Sequence, residues 1–189
     1  MIRAGGLVAF PTDTLYGLAA DPFNPSAVRR VFEAKGRPAD RAMPLVAADA
    51  AQVVEQIGPL TPLARRLADR FWPGPLTILV PAWRAIAVDV SGGTGRVGVR
   101  VPAHRVARDF CRSSASALVA TSANVSGRTA STDPNDVAAS IGTAIDMLID
   151  SGPTPGGQPS TIVDATGQQV RLVRAGAISW EDIEACLRG

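Results

Sequence analysis

Histidine is nearly absent from this chain of 189 residues: His104 stands alone, and Cys111 and Cys186 are its only cysteines. A multi-histidine metal centre is thereby excluded, and a Ser-His-Asp triad would depend on His104 by itself. The two cysteines form no C-x-x-C pair, which fits reduced thiols in a cytosolic protein. No uninterrupted apolar stretch approaches the roughly 20 residues that cross a bilayer. The apolar run near Met1 is short and ends at Pro11, unlike a signal peptide. A cytoplasmic chain without membrane contact is expected. Aromatics make up 5% of the residues and formal charge is only +2, too little to define a nucleic-acid binder from composition. No G-x-x-x-x-G-K-[ST] loop exists, because the residue after the sole lysine is Gly36. Gly93-Thr94-Gly95-Arg96-Val97-Gly98 fits G-x-G-x-x-G, but it precedes a predicted strand and opens no helix, so it is no dinucleotide fingerprint.

Lysine is the other scarcity. Of 19 basic residues one is lysine, Lys35, and the rest are arginine. Codon bias alone could leave one lysine behind. The alternative is a position that a planar guanidinium cannot fill and a compact ammonium can, such as an end-on contact with a phosphate oxygen. Lys35 stands in a dense run, Lys35-Gly36-Arg37-Pro38, with Arg41 just beyond.

What is present is alternation. Strand-like and helix-like segments follow one another along the whole chain, and 189 residues suit one domain, 1–189, with a substantial core. Strands are predicted over 7–10, 44–47, 76–80, 97–101, 117–120, 147–149, 161–163 and 170–173. Asn24-Pro25, Thr61-Pro62 and Asp133-Pro134 each pair a capping side chain with a proline at the first helical position. Trp72-Pro73-Gly74-Pro75 breaks the second of these helices. Residues 105–111 read as helical with His104 at their start, in a surface or capping role. Ser179 with Asp182 three residues on caps a terminal helix. Neighbouring strands without helices between them, near 147–173, require a mixed sheet. The expected fold is α/β: one twisted, open mixed sheet with flanking helices.

Polar and small residues gather where these strands end, the place where open α/β sheets bind ligands. Five segments stand out: Pro11-Thr12-Asp13-Thr14-Leu15-Tyr16-Gly17-Leu18; Lys35-Gly36-Arg37-Pro38; Val97-Gly98-Val99-Arg100-Val101-Pro102; Thr121-Ser122-Ala123-Asn124-Val125-Ser126-Gly127; and Pro159-Ser160-Thr161-Ile162-Val163-Asp164 ahead of Arg174-Ala175-Gly176-Ala177. Singly, each has a plainer reading. Threonine, serine and asparagine are ordinary turn formers, and strand-end arginines are commonly solvated. Together they suggest recognition of a small polar anion, with Lys35, Arg37, Arg41, Arg100 and Arg174 supplying positive charge.

These segments, in this order and together with Phe71-Trp72-Pro73-Gly74-Pro75-Leu76-Thr77, resemble the YrdC/TsaC family of threonylcarbamoyl-AMP synthases from Val8 to about Ser179. The resemblance implies a YrdC-like sheet with a concave, basic cavity. It implies an enzyme, a nucleotidyltransferase that joins L-threonine, bicarbonate or carbon dioxide, and ATP into threonylcarbamoyl-AMP and diphosphate. The product would serve tRNA processing, passing to a downstream complex that makes threonylcarbamoyladenosine. By matching motif, Thr12 or Thr14, Arg100, Ser122 and Ser160 or Thr161 would hold threonine. Lys35, Arg37, Asn124, Thr132 and Arg174 would hold ATP, with Lys35 and Arg37 as the catalytic pair at the phosphates. Arg41 stands where members often carry a second lysine, which keeps the charge and alters the hydrogen-bond geometry. Some members have a histidine shortly after the Lys-Gly-Arg-Pro step, whereas here the strand reads Leu45-Val46-Ala47-Ala48. The extra C-terminal domain of longer members is expected to be missing.

Magnesium arriving with ATP is the one cofactor expected, with no resident metal. The chemistry needs no side-chain nucleophile, so positioning and charge neutralisation would be the protein's contribution. Loss of Lys35 is accordingly expected to stop turnover and leave the fold intact. Two rivals remain. The related carbamoyl-adenylate chemistry of hydrogenase maturation belongs to a much larger protein with zinc-binding cysteines. An RNA-binding module in tRNA or rRNA maturation, without adenylating activity, would use the same basic surface for weak RNA contacts.

Overall fold

The three capped proline steps start helices as predicted. Asn24 Oδ1 accepts from the Ser26 and Ala27 amides at the head of α1 (Pro25–Lys35). Thr61 accepts from the Ala64 amide ahead of α3 (Pro62–Phe71), and Asp133 from the Asn135 amide ahead of α6 (Pro134–Ile141). Gly36 ends α1 in the left-handed region at φ 56°, where a side chain is strained. The computed structural model describes residues 1–36, 42–82 and 86–188. The remaining helices are α2 (Ala50–Gln56), α4 (Val88–Ser91), α5 (Arg105–Ser114) and α7 (Trp180–Arg188). Ser179 caps α7 through the Asp182 amide and its own bond to the Asp182 carboxylate.

Nine strands form one mixed sheet among the described residues: β1 (Val8–Phe10), β2 (Gly17–Ala20), β3 (Leu45–Val46), β4 (Leu76–Pro81), β5 (Arg96–Arg100), β6 (Leu118–Ser122), β7 (Met147–Leu148), β8 (Thr161–Asp164) and β9 (Arg171–Arg174). Their spatial order is β7-β1-β2-β6-β3-β5-β4-β8-β9. Parallel pairs (β1 with β7, β3 with β5, β4 with β8) are interleaved with antiparallel ones. The predicted α/β class and mixed sheet are therefore correct. Three elements were not foreseen: β2, hidden inside a motif of turn residues, the short helix α4, and α2. The last had a legible signal, since Asp49 Oδ1 caps it through the Gln52 amide.

Side chains alternate across the strands, and the alternation sorts them into two cores. Leu7, Ala9, Leu18, Ala20, Leu45, Val119, Ile78 and Val99 belong to the larger one, under α1, α3, α6 and α7. Val8, Phe10, Ala19, Val46 and Leu118 point the other way, where Ala107 and Cys111 of α5 cover them with Ile2. Helix α5 covers only the part of this second face formed by β1, β2, β3 and β6. Beyond it, over β5, β4 and β8, the second face carries polar residues. That uncovered stretch is where the site lies.

One loop approaches the sheet at van der Waals limits. A Cβ on Gly176 would fall against the Pro159 carbonyl oxygen and stand 2.6 Å from the Thr161 amide nitrogen. Gly176→Ala is expected to cost about 1–3 kcal/mol through overpacking. That lowers the melting temperature by roughly 2–10 °C for a chain of this size, readable by circular dichroism. An unchanged melting temperature would show that residues 159–161 can yield.

Candidate functional site

Register decides which strand-end residues share a face. Ile78 pairs with Val99, so Thr77 of β4 lies opposite Arg100 of β5. Arg100 in turn pairs with Val46, a residue of the second core, and Ile162 of β8 pairs with both Thr77 and Arg174. Thr77, Arg100 and Arg174 thus lie on the second face, beyond α5. Ser160, one residue before Thr161, points the same way: its hydroxyl lies 2.9 Å from that of Thr77. Arg174 Nη2 donates to the Ser160 carbonyl at 2.6 Å and to its hydroxyl at 3.1 Å. Arg100 Nε donates to the Gly74 carbonyl at 3.0 Å. Partial burial, and then the positive charge of Arg100, pull the Arg174 guanidinium below the ordinary arginine range. Two like charges held this close favour an anion beside them.

The connection between β1 and β2 leans over this face. Its Asp13 carboxylate stands 2.6 Å from Arg100 Nη2, with both side chains nearly buried. The pair is ionic without being a hydrogen bond, since neither Asp13 Oδ1 nor Arg100 Nη2 has an aligned partner. The connection is held from two sides. Thr12 Oγ donates to the Leu15 carbonyl at 2.6 Å and accepts from the Thr14 and Leu15 amides. The Thr14 carbonyl accepts from the Thr154 hydroxyl at 3.0 Å and the Gly156 amide at 2.8 Å. Tyr16, fully buried, donates its phenol to the Gly152 carbonyl at 2.8 Å.

Lys35 lies at the other end of β6, buried at 3% exposure. Its Nζ donates to the carbonyls of Ser122 and Asn124 and, at 3.3 Å, to Asn124 Oδ1. The Ser126 amide returns a bond to the Lys35 carbonyl at 2.8 Å. Asn124 Nδ2 closes the same loop onto the Val125 and Arg128 carbonyls. An ammonium therefore pins the segment after β6.

The sequence candidates thus fall into distinct groups. Arg100, Ser160 and Arg174 come together on one face, and Thr14 joins them at its rim. Ser122 shares that face by alternation with Leu118 but stands at the opposite strand end, and its hydroxyl bonds to no described residue. The Thr132 hydroxyl is likewise uncommitted, while the Thr132 carbonyl accepts from the Thr154 amide. Thr161 leaves the group as a side-chain ligand. It is completely buried, on the main-core side, and its hydroxyl is consumed by the Ile178 carbonyl and amide. Thr12 spends its hydroxyl on its own turn, and the Thr14 hydroxyl donates to it at 3.2 Å, which leaves Thr14 Oγ as an acceptor. The Asn124 side chain is committed to Lys35 and its own loop. His104 stands at the head of α5 but makes no capping bond, and its Nδ1 is buried without a partner. Arg37 and Arg41 lie outside the described residues. Sequence reasoning passed over Asp13, Thr77 and Thr154, although Asp13 and Thr77 sat inside quoted motifs. Strand alternation from Arg100 could have found Thr77.

Other reactive groups stand aside. Burial pushes the Cys111 thiol up to about 12, which removes it as a nucleophile at neutral pH. Among the described residues no three His, Cys, Asp or Glu side chains gather to hold a metal. None of the described helices is long and apolar enough to cross a membrane. A polar groove of about 340 Å³ between Arg96, Asp164, Gln169 and Arg171 lies at the far end of β8 from Ser160 and takes no part in this arrangement.

A family model for Sua5, YciO and YrdC, described as telomere recombination, matches residues 1–176. The chain is 41% identical over 183 residues to a threonylcarbamoyl-AMP synthase of Pyrococcus abyssi, covering 97% of this chain and 54% of that protein. It is 40% identical to a threonylcarbamoyl-AMP synthase of Thiobacillus denitrificans, with 90% of each chain covered. The crystal structure of P. abyssi Sua5 complexed with L-threonine superposes with a TM-score of 0.93 at 40% identity, over 98% of this chain and 55% of the other. The chain spans about half the length of the P. abyssi protein.

Proposed function

The chain belongs to the Sua5/YciO/YrdC family, and from that premise we propose that it condenses L-threonine, bicarbonate or carbon dioxide, and ATP into threonylcarbamoyl-AMP and diphosphate. One observation carries the reading. Arg100 and Arg174 lie on the same sheet face with β4 and β8 between their strands, and the Ser160 hydroxyl there meets Thr77 and Arg174, in a chain 40% identical to a protein crystallised with L-threonine.

Threonine's neutral amine adds to carbon dioxide and gives up a proton, or to bicarbonate with loss of water, and so forms a carbamate, an oxygen nucleophile in its own right. A carbamate oxygen then attacks the α-phosphorus, and diphosphate leaves. Neither step needs a side-chain nucleophile. Arg100 binds the threonine carboxylate through a charge-assisted bond, with Thr14 and Ser160 presenting hydroxyls beside it. Arg174 faces the nucleotide phosphates. Lys35 contributes by holding the loop from Ser122 to Ser126, so that the Ser122 hydroxyl is presented in a fixed place. Magnesium would come in with the triphosphate and would offset charge at its phosphates. The adenylate then passes to a tRNA-modifying complex.

Diphosphate release with threonine, bicarbonate and ATP tests the proposal. Omission of threonine is expected to stop it. Serine, lacking one methyl, is expected to be used about 10- to 200-fold less efficiently. Release indifferent to the amino acid would remove the reading. Salt-sensitive RNA binding without threonine-dependent release would favour the RNA-binding alternative instead.

A further inference from the structure

Thr77 is more deeply buried than its neighbours on the polar face, at 2% exposure against 8% for both Ser160 and Arg100. Its rotamer is set by the strand beside it. A Cβ on Gly98 would stand 3.0 Å from the Thr77 methyl carbon, so the methyl lies over the bare Gly98 of β5 and the hydroxyl turns to Ser160, just ahead of β8. Among the described residues Ser160 Oγ, at 2.9 Å, is the one partner of that hydroxyl. A buried O–H without an acceptor is costly, and this fixes the direction of the bond. If Ser160 donated, the Thr77 proton would have no acceptor; Thr77 therefore donates and Ser160 accepts. Ser160 Oγ accepts a second time, from Arg174 Nη2 at 3.1 Å. A serine hydroxyl has two lone pairs and one proton. Both lone pairs are thus occupied, and the proton has no acceptor among the described residues. The contact with Thr77 is buried and that with Arg174 only partly so, which opens the Ser160 hydroxyl on the Arg174 side.

We propose that Thr77 is a positioning residue: by donating to Ser160 Oγ, it commits the Ser160 hydroxyl to give its own proton to an anionic oxygen of the substrate. The role rests on the threonine-activating reading of this face and adds to it a residue that itself touches no substrate. A guanidinium has donors and no acceptor. With Ser160 held as a donor, the Ser160–Arg174 corner presents O–H and N–H groups and no free lone pair. Such a corner suits a carboxylate or carbamate oxygen and offers an ammonium nothing to bind. A serine without Thr77 behind it would turn about its Cα–Cβ bond and serve either kind of group. Accepting from two donors also polarises the Ser160 O–H, which strengthens the bond it gives.

Calorimetry with L-threonine and thermal unfolding, on Thr77→Val, Ser160→Ala and the double variant of the full chain, test this. Thr77→Val keeps the shape and removes the hydroxyl. It is expected to weaken threonine binding by about 3- to 10-fold, the range of one hydrogen bond. In the Ser160→Ala background the same change is expected to alter the affinity by less than about twofold, because its route to the ligand is gone. Thr77→Ser, which keeps the hydroxyl, is expected to stay within about twofold of wild type. The second readout needs no ligand. Ser160→Ala strands the buried Thr77 proton, so adding Thr77→Val is expected to raise the melting temperature by roughly 2–8 °C over Ser160→Ala alone. Equal weakening of threonine in both backgrounds, or none in the wild-type background, overturns the proposal and leaves Thr77 as packing. A double variant no more stable than Ser160→Ala overturns it too, since the Thr77 proton would then have another acceptor. A wild-type chain that binds no threonine removes the proposed function, and the substrate role with it, even where the melting temperature rises as expected, so the two failures are told apart.

Discussion

Lys35→Arg is expected to be nearly as damaging as Lys35→Met, although it keeps the charge. The Lys35 ammonium donates to three oxygens, the Ser122 and Asn124 carbonyls and Asn124 Oδ1. A tetrahedral ammonium can serve such a set, and a planar guanidinium with its donors in one plane cannot. Methionine removes the donors altogether and leaves buried acceptors unsatisfied, at a cost of about 2–4 kcal/mol. For a chain of this length the melting temperature should fall by roughly 5–15 °C, and threonine-dependent diphosphate release should fall below a few per cent. Thermal unfolding and turnover, measured on the same preparations, check both. If Lys35→Met kept its melting temperature and lost only turnover, the ammonium would act on substrate and its carbonyl contacts would be incidental.

Arg100→Gln is expected to abolish threonine binding while sparing much of the affinity for an ATP analogue. The guanidinium is the cation beside Asp13, and it is nearly buried. Removing one member of a buried charged pair costs about 2–5 kcal/mol, which is roughly thirtyfold to several thousandfold in affinity. The same change strands the Asp13 carboxylate without its counter-ion, so some loss of thermal stability should accompany it. Calorimetry with threonine and with a non-hydrolysable ATP analogue separates the two sites. Equal weakening of both ligands would show that Arg100 supports the sheet edge as a whole.

The architecture was legible where local chemistry acts alone. Asn24, Thr61 and Asp133 start helices because side-chain oxygen and proline together fix the first turn, and the sequence states both. β2 escaped because Gly17 and its neighbours look like a turn until Phe10 and Ser122 are seen on either side of it. The lone lysine drew notice in the sequence for its rarity. The partner assigned to it from sequence was a phosphate, whereas the contacts described here are carbonyls of the loop after β6. Those carbonyls belong to residues more than eighty positions away, and no pattern near Lys35 announces them. Between Ser160 and Thr161 the sequence offers two adjacent hydroxyls. Only the direction of β8 beside β4 assigns one to the open face and the other to the core. Asp13 was overlooked for a similar reason, as its meaning depends on Arg100, which arrives from another strand.

Strand β8 docks parallel to β4 with Thr161 beside Leu76, and β9 follows it to bring Arg174 home. Pairings across such long sequence separations form late, because closing the intervening chain is entropically costly before any contact rewards it. On a ribosome, the elements through β6 would be synthesised while the second guanidinium was still absent. The polar face would therefore be complete only once residues 159–174 had emerged, and a nascent chain arrested before residue 159 would lack both Ser160 and Arg174 however well its earlier residues had folded.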